Sequence, residues 1–316
     1  MAIKSPAQAP ARPRQSRCLY SGTRDHPVYV DYLAPAGSNA LLPVVMLHGG
    51  GHTGACYLMT PDGRRGWAEL FADAGHPVYV PDWPGHGRSP MRDDFNTLSG
   101  HQVVEALTPL FERVGPAILL AHSASGPMAW MLAERLPDLV RAVIGIAPGA
   151  PANLIPMPTP DDLGSGHIFY SDEAEPIWVD DGTARRFWTN GERFPMHVFP
   201  DYRKSIVAES PRIMNERFNF DGRGLSVTPG ALSGCPILVV TGETDLRHPR
   251  PVDEATAAFL GGEFCWLPDR GIRGNGHMLM LENNSDEIAE LILGWIVRRF
   301  RVNGLPHGPV EAASCC

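Results

Sequence analysis

No apolar stretch among the 316 residues approaches the roughly 20 that a membrane-spanning helix requires, so no such span is expected. The first 17 residues (MAIKSPAQAPARPRQSR) are basic and rich in Pro, Ala and Gln, but lack the apolar segment of a secretory signal. They read as a flexible tail, with an organelle transit peptide as the alternative. Cysteine is scarce. Cys18, Cys56, Cys235, Cys265, Cys315 and Cys316 show neither metal-ligand nor disulfide-framework spacing, and reduced thiols in a cytoplasmic protein are expected. Runs of like charge are missing too. A net charge of −8 spread along the chain argues against nucleic acid and anionic membrane surfaces as partners. There is no P-loop lysine and no internal repeat.

What is present describes a globular protein with a sizeable core, 43% hydrophobic and 20% charged. Short apolar runs alternate with amphipathic stretches, which predicts a mainly parallel sheet with helices on both faces. Strands are expected at Val28–Tyr32, Val44–Leu47, Val78–Val80, Ala117–Ala121, Ala142–Ile146, Ile237–Thr241 and Glu263–Leu267. Several lack alternation, as strands buried on both faces do. Helices are expected at Trp67–Ala74, Gln102–Val114, Gly126–Leu136, Val252–Leu260 and Ser285–Phe300. Between Pro148 and Gly234 the alternation stops, and prolines, acidic residues and aromatics accumulate. A structureless loop of that length is implausible within a compact domain. Residues 148–234 are therefore expected to form a helical cap inserted after the sixth strand, the alternative being a subdomain whose aromatics fill only its own core. The rest divides into a core at 18–147 and 235–302 and a flexible tail at 303–316.

Four motifs carry chemistry. In Ala121-His122-Ser123-Ala124-Ser125-Gly126 a serine sits between a buried strand and a helix, with small residues around it. Such a tight strand-to-helix turn exposes the hydroxyl as a nucleophile and aims helix N-terminal amides at a developing oxyanion. The same letters also suit a plain helix N-cap. His48-Gly49-Gly50-Gly51 follows another strand, where glycines bring bare amides close to a ligand oxygen. The expected oxyanion donors are the backbone amides of Gly50 and Ala124. His48 is expected to hold this loop through hydrogen bonds, His86 in Asp82-Trp83-Pro84-Gly85-His86-Gly87 is read as scaffold, and His52 has no assigned role. In Gly274-Asn275-Gly276-His277, after the last strand, His277 is the candidate base. The turn Gly242-Glu243-Thr244-Asp245 carries the candidate acid, Asp245, with Glu243 as the alternative.

With serine, glycine loop, acid and histidine in this order, the chain resembles the α/β-hydrolase superfamily from about Val28 to Phe300. Within it, the chain is similar to a group of bacterial secreted or periplasmic esterases. The shared residues are His48-Gly49-x-x-x-Thr53-Gly54, Thr60-Pro61-Asp62-Gly63-Arg64-x-Gly66-Trp67, His122-Ser123-x-Ser125-Gly126 and Gly274-Asn275-x-His277-Met278. In that group the resemblance implies a glutamate acid in a Glu-Pro-Gly turn after the sixth strand. Here the turn is Ala147-Pro148-Gly149, so that position is out of use and the weight on Asp245 rises. The group's cysteine pair is replaced by Gly50 and Gly51.

The expected function is a serine hydrolase acting through an acyl-enzyme on a carboxylic ester or lactone of a fairly apolar small molecule, with no metal or organic cofactor. The same triad could instead serve amide, carbon–carbon or acyl-transfer chemistry, which cap and pocket shape decide. A third reading is a non-catalytic ligand-binding protein on a hydrolase scaffold. Exposed apolar faces on a cap are where two copies would pair as a homodimer.

Overall fold

The computed structural model describes residues 17–37, 41–163 and 168–301. Most of both expected tails, Cys315 and Cys316 lie outside the described residues. The first half of the sheet is built from β1 (Arg17–Gly22), β2 (Pro27–Leu33), β3 (Val44–Leu47) and β4 (Val78–Pro81). Helices α1 (Ala55–Leu58) and α2 (Trp67–Asp73) lie between β3 and β4. Then follow α3 (Gly100–Val114), β5 (Ala117–His122), α4 (Gly126–Arg135) and β6 (Val140–Ile146). The order in the sheet is β1-β2-β4-β3-β5-β6, continued by two later strands. From β4 onward all pairings are parallel, while β1 and β2 form an antiparallel edge. β1 was not foreseen: its residues are largely exposed, so no apolar run marks it.

The apolar runs become intelligible once the faces are separated. Val44, Met46, Ile118 and Leu120 pack on one face with Trp67 and Phe71 of α2. Val45, Leu47, Leu119 and Ala121 pack on the other with α3 and α4. Every residue of β3 and β5 is buried, so neither side of the strand calls for a polar residue. Helix α3 starts two residues before the expected Gln102, because Ser99 and Gln102 form a reciprocal capping box.

Between β6 and β7 (Ile237–Thr241) the chain leaves the sheet. Among the described residues it forms four short helices there: α5 (Pro160–Leu163), α6 (Asp181–Phe187), α7 (Phe199–Lys204) and α8 (Pro211–Arg217). Phe187, Trp188, Phe194, Phe199 and Tyr202 join the same cluster as Trp67 and Phe71, and Ile213 and Leu225 join the cluster on the opposite face. These side chains therefore do not make a separate core. Other aromatics stay outside, with Trp178 64% and Tyr170 54% exposed. The chain closes with α9 (Arg250–Leu260), β8 (Glu263–Trp266) and α10 (Ser285–Arg301). Among the described residues no helix is long and apolar enough to cross a membrane.

Candidate active site

Ser123 directly follows β5 with φ of +52°, a left-handed backbone that a non-glycine residue adopts at a cost of about 1–3 kcal/mol. The surroundings enforce it. The Ser123 carbonyl accepts the Gly149 amide at 2.8 Å, and α4 starts at Gly126, directly after the turn. A Cβ on Gly126 would lie 2.5 Å from the Gly149 carbonyl oxygen, so the helix can approach this closely only with glycine there. Ala121, at the position where the turn tolerates only small residues, faces a core that holds Leu47 and Trp130.

His277 reaches Ser123 from the segment between β8 and α10. Its Nε2 lies 3.0 Å from Ser123 Oγ, and its Nδ1–H donates to Asp245 Oδ2 at 2.7 Å. The other carboxylate oxygen, Oδ1, accepts the backbone amides of Arg247 and His248 at 2.8 and 3.1 Å. One oxygen is therefore anchored by the chain and the other is turned to the imidazole. Burial works against the Asp245 charge, but His277 and these amides outweigh it and bring the carboxyl to about 2. Burial takes His277 below its ordinary 6.5, with Asp245 acting in the opposite direction, so the imidazole is neutral and able to accept a proton at neutral pH. His122 Nε2–H donates to the His277 carbonyl at 3.1 Å, and the His248 ring stacks on His277 at 5.3 Å. Glu243 is occupied elsewhere: it accepts from Arg273 and from the Gly274 amide at 3.0 and 2.9 Å.

The glycine loop meets the nucleophile directly. A Cβ on Gly49 would lie 3.0 Å from Ser123 Cβ, and one on Gly50 would lie 3.4 Å from Ala124 Cβ. Among the described residues, the amides of Gly50 and Ala124 have no hydrogen-bond acceptor. His48 ties the loop to its neighbours, donating from Nδ1 to the Gly49 carbonyl and accepting the Trp83 amide at Nε2. His52, left without a role by the sequence, donates to the Gly50 carbonyl at 2.8 Å and accepts from Tyr202 Oη at 2.8 Å.

A small pocket opens beside Ala124. Pro127 and Met128 line it from the core, and Ala150, Ile155, Ile213 and Leu225 from the insertion, with Glu216 and Arg217 as its charged members. Burial pushes the Glu216 carboxyl up to about 7, against the Gly100 amide that donates to it at 2.7 Å. Glu209 and Arg217 escaped sequence reading altogether, and Tyr202 was read only as one of the aromatics of the insertion. None sits in a local motif, and each acts across at least 31 positions of chain, so no spacing could have announced it. Among the described residues no group of three His, Cys, Asp or Glu could hold a metal ion.

Residues 44–291 match the sequence model of the alpha/beta hydrolase family. A probable secreted lipase of a fungal species is 26% identical, with 86% of each chain covered. Among solved structures, a thermophilic esterase from Thermogutta terrifontis superposes with a TM-score of 0.65 at 17% identity, covering 90% of this chain and 98% of that one. A novel bacterial esterase gives 0.57 at 20% identity, covering 92% and 98%.

Proposed function

The chain belongs to the alpha/beta hydrolase family and is an esterase-like enzyme, and from that premise we propose that it cleaves a carboxylic ester or lactone of a fairly apolar small molecule through an acyl-enzyme. The observation that carries this reading is the unbroken hydrogen-bond chain from Ser123 Oγ to His277 Nε2 at 3.0 Å and from His277 Nδ1 to Asp245 at 2.7 Å. Ser123 Oγ attacks the ester carbonyl while His277 Nε2 takes its proton. The amides of Gly50 and Ala124 receive the oxyanion, a contribution of about 3–4 kcal/mol per donor to the transition state. The imidazolium, stabilised by Asp245, returns the proton to the leaving alkoxide. Water then attacks the acyl carbonyl while His277 takes its proton, and His277 returns that proton to Ser123 Oγ as the acid leaves.

The apolar lining beside Ala124 supports an apolar acyl or alcohol group, and the insertion's share of that lining supports its role as a cap. The test is a fluorophosphonate probe with p-nitrophenyl esters, lactones and anilides run in parallel. We expect one labelled residue, Ser123, with esters or lactones turned over faster than anilides. Labelling and turnover that persist in Ser123→Ala would overturn the mechanism, and anilides as the best substrates would overturn the bond class.

A further inference from the structure

Three successive peptide units follow His48, and glycine supplies no side chain to hold them. The structure holds them by their polar ends instead. In the unit between Gly49 and Gly50, the Gly49 carbonyl accepts from His48 Nδ1 at 2.9 Å and from the His52 amide at 3.3 Å. In the next, the Gly50 carbonyl accepts from His52 Nδ1 at 2.8 Å and the Gly51 amide donates to Glu209 Oε2 at 2.9 Å. In the third, the Gly51 carbonyl accepts the Val207 amide at 2.9 Å. Among the described residues, the Gly50 N–H is the one end left without a partner. We propose that Glu209, reaching in from the insertion, is a positioning residue of the oxyanion hole: it locks the Gly50–Gly51 peptide plane, which joins the plane of the Gly50 N–H at the Gly50 Cα, and so limits the rotation of that N–H.

Glu209 is built for that task. It is 1% exposed, and its backbone is pinned by two 2.9 Å hydrogen bonds with Ile177. Oε2 would lie 2.9 Å from a Cβ on Gly50, so the carboxylate stands against both glycines. Oε1 accepts the Ser210 amide at 2.7 Å and faces His86 Nε2 at 3.3 Å, an ion-pair distance without hydrogen-bond alignment. A bare negative charge beside an oxyanion would oppose it. The other nitrogen of His86 lies 3.0 Å from the Pro84 carbonyl, an acceptor, so that side of the ring carries a proton. Burial disfavours the imidazolium, yet Glu209 overcomes this and raises His86 above its ordinary value. The pair thus holds its acceptor at Gly51 with its charge compensated from behind. The insertion is in this way a structural part of the oxyanion hole as well as a wall of the pocket.

The proposal rests on the reading of Gly50 as an oxyanion donor, and its test keeps the two apart. Two variants are compared with wild type on p-nitrophenyl butyrate, with kcat expressed per active site titrated by a phosphonate. Glu209→Met keeps the length and removes both acceptors. Glu209→Gln keeps the shape but leaves one oxygen for two amides, Gly51 and Ser210. Glu209→Met should lose about 10²-fold in kcat and Glu209→Gln about tenfold, each with KM within threefold. A residue of merely structural importance would lower the fraction of titratable sites and leave kcat per site unchanged. Glu209→Gln with wild-type kcat, or a loss confined to KM, overturns the proposal even if Glu209→Met fails to fold. Ser123→Ala retaining ester turnover would instead overturn the underlying reading of the site.

Discussion

The sheet and the insertion between β6 and β7 are built from different materials. In the sheet, β3 and β5 are buried along their whole length, and the helices that cover it reach 15 residues in α3 and 17 in α10. In the insertion no described helix exceeds seven residues. Isolated helices under about 12 residues are marginal in water, so the insertion's order comes from packing. Phe187, Trp188, Phe199 and Tyr202 deliver it by joining the cluster of Trp67 and Phe71. The dependence also runs the other way, because the glycine loop of the core is held at Gly51 and His52 by Glu209, Val207 and Tyr202. The comparison teaches a division of labour. In the proposed mechanism the sheet carries the groups that exchange protons, and the insertion lines the space in which they would work.

The largest effects should therefore come from the sheet side. Asp245→Asn leaves the imidazole without its anchor and is expected to lower kcat on the order of 10⁴-fold. Glu243→Gln, whose carboxylate serves Arg273 and Gly274, should stay within about threefold. The pH profile adds a second readout. Activity requires neutral His277, so its acidic limb in wild type should fall below 6.5. The Asp245 carboxylate holds the imidazolium up, so Asp245→Asn should move that limb to still lower pH. A Glu243→Gln enzyme that lost activity while Asp245→Asn kept it would reverse the assignment of the acid.

Selectivity should follow the insertion as much as the core, at a smaller scale. Ile213, 3% exposed, and Met128, 2% exposed, line the same pocket from the two sides. Ile213→Ala should raise the kcat/KM ratio of hexanoate over butyrate p-nitrophenyl esters about tenfold, and Met128→Ala comparably. Each should cost about 2–5 kcal/mol of stability in denaturant unfolding. A shift from Met128→Ala with none from Ile213→Ala would remove the insertion from the acyl pocket.

The same contrast explains what could be read from residues alone. Strands such as Val44–Leu47 and Ile237–Thr241 announce themselves by unbroken apolar runs, and the alternation of elements gives the parallel sheet. Ser123, His277 and Asp245 follow from turns whose backbone needs are local, so short motifs record them. The insertion leaves no such record. Its aromatics read alike whether they join the main core, as Phe199 does, or stay exposed, as Trp178 does. Glu209 meets Gly51 across 158 positions of chain, and neither partner carries a pattern pointing to the other. The β1 edge was invisible because it pairs along one side only and buries little.

A matched pair of hydroxyl deletions gives the finest comparison. Tyr57 and Tyr202 are both fully buried, and each makes one hydrogen bond, Tyr57 to the Leu47 carbonyl at 2.9 Å and Tyr202 to His52 Nε2 at 2.8 Å. Removing the Tyr202 hydroxyl strands His52 Nε2, whereas the Leu47 carbonyl keeps Ser125 Oγ at 3.2 Å, so Tyr202→Phe should cost about 1–3 kcal/mol of stability and Tyr57→Phe about 1 kcal/mol. Their effects on turnover should part. Leu47 belongs to a strand that β5 already holds in register, whereas His52 is the donor that fixes the Gly50 carbonyl. Tyr202→Phe should lower kcat about threefold to tenfold, and Tyr57→Phe less than twofold. Burial takes His52 down to about 4, so its Nε2 remains an acceptor across the neutral range. The Tyr202→Phe deficit should accordingly stay constant between about pH 6 and 9. Equal losses of kcat in the two variants would mean that the insertion supports the oxyanion loop no more directly than the core does.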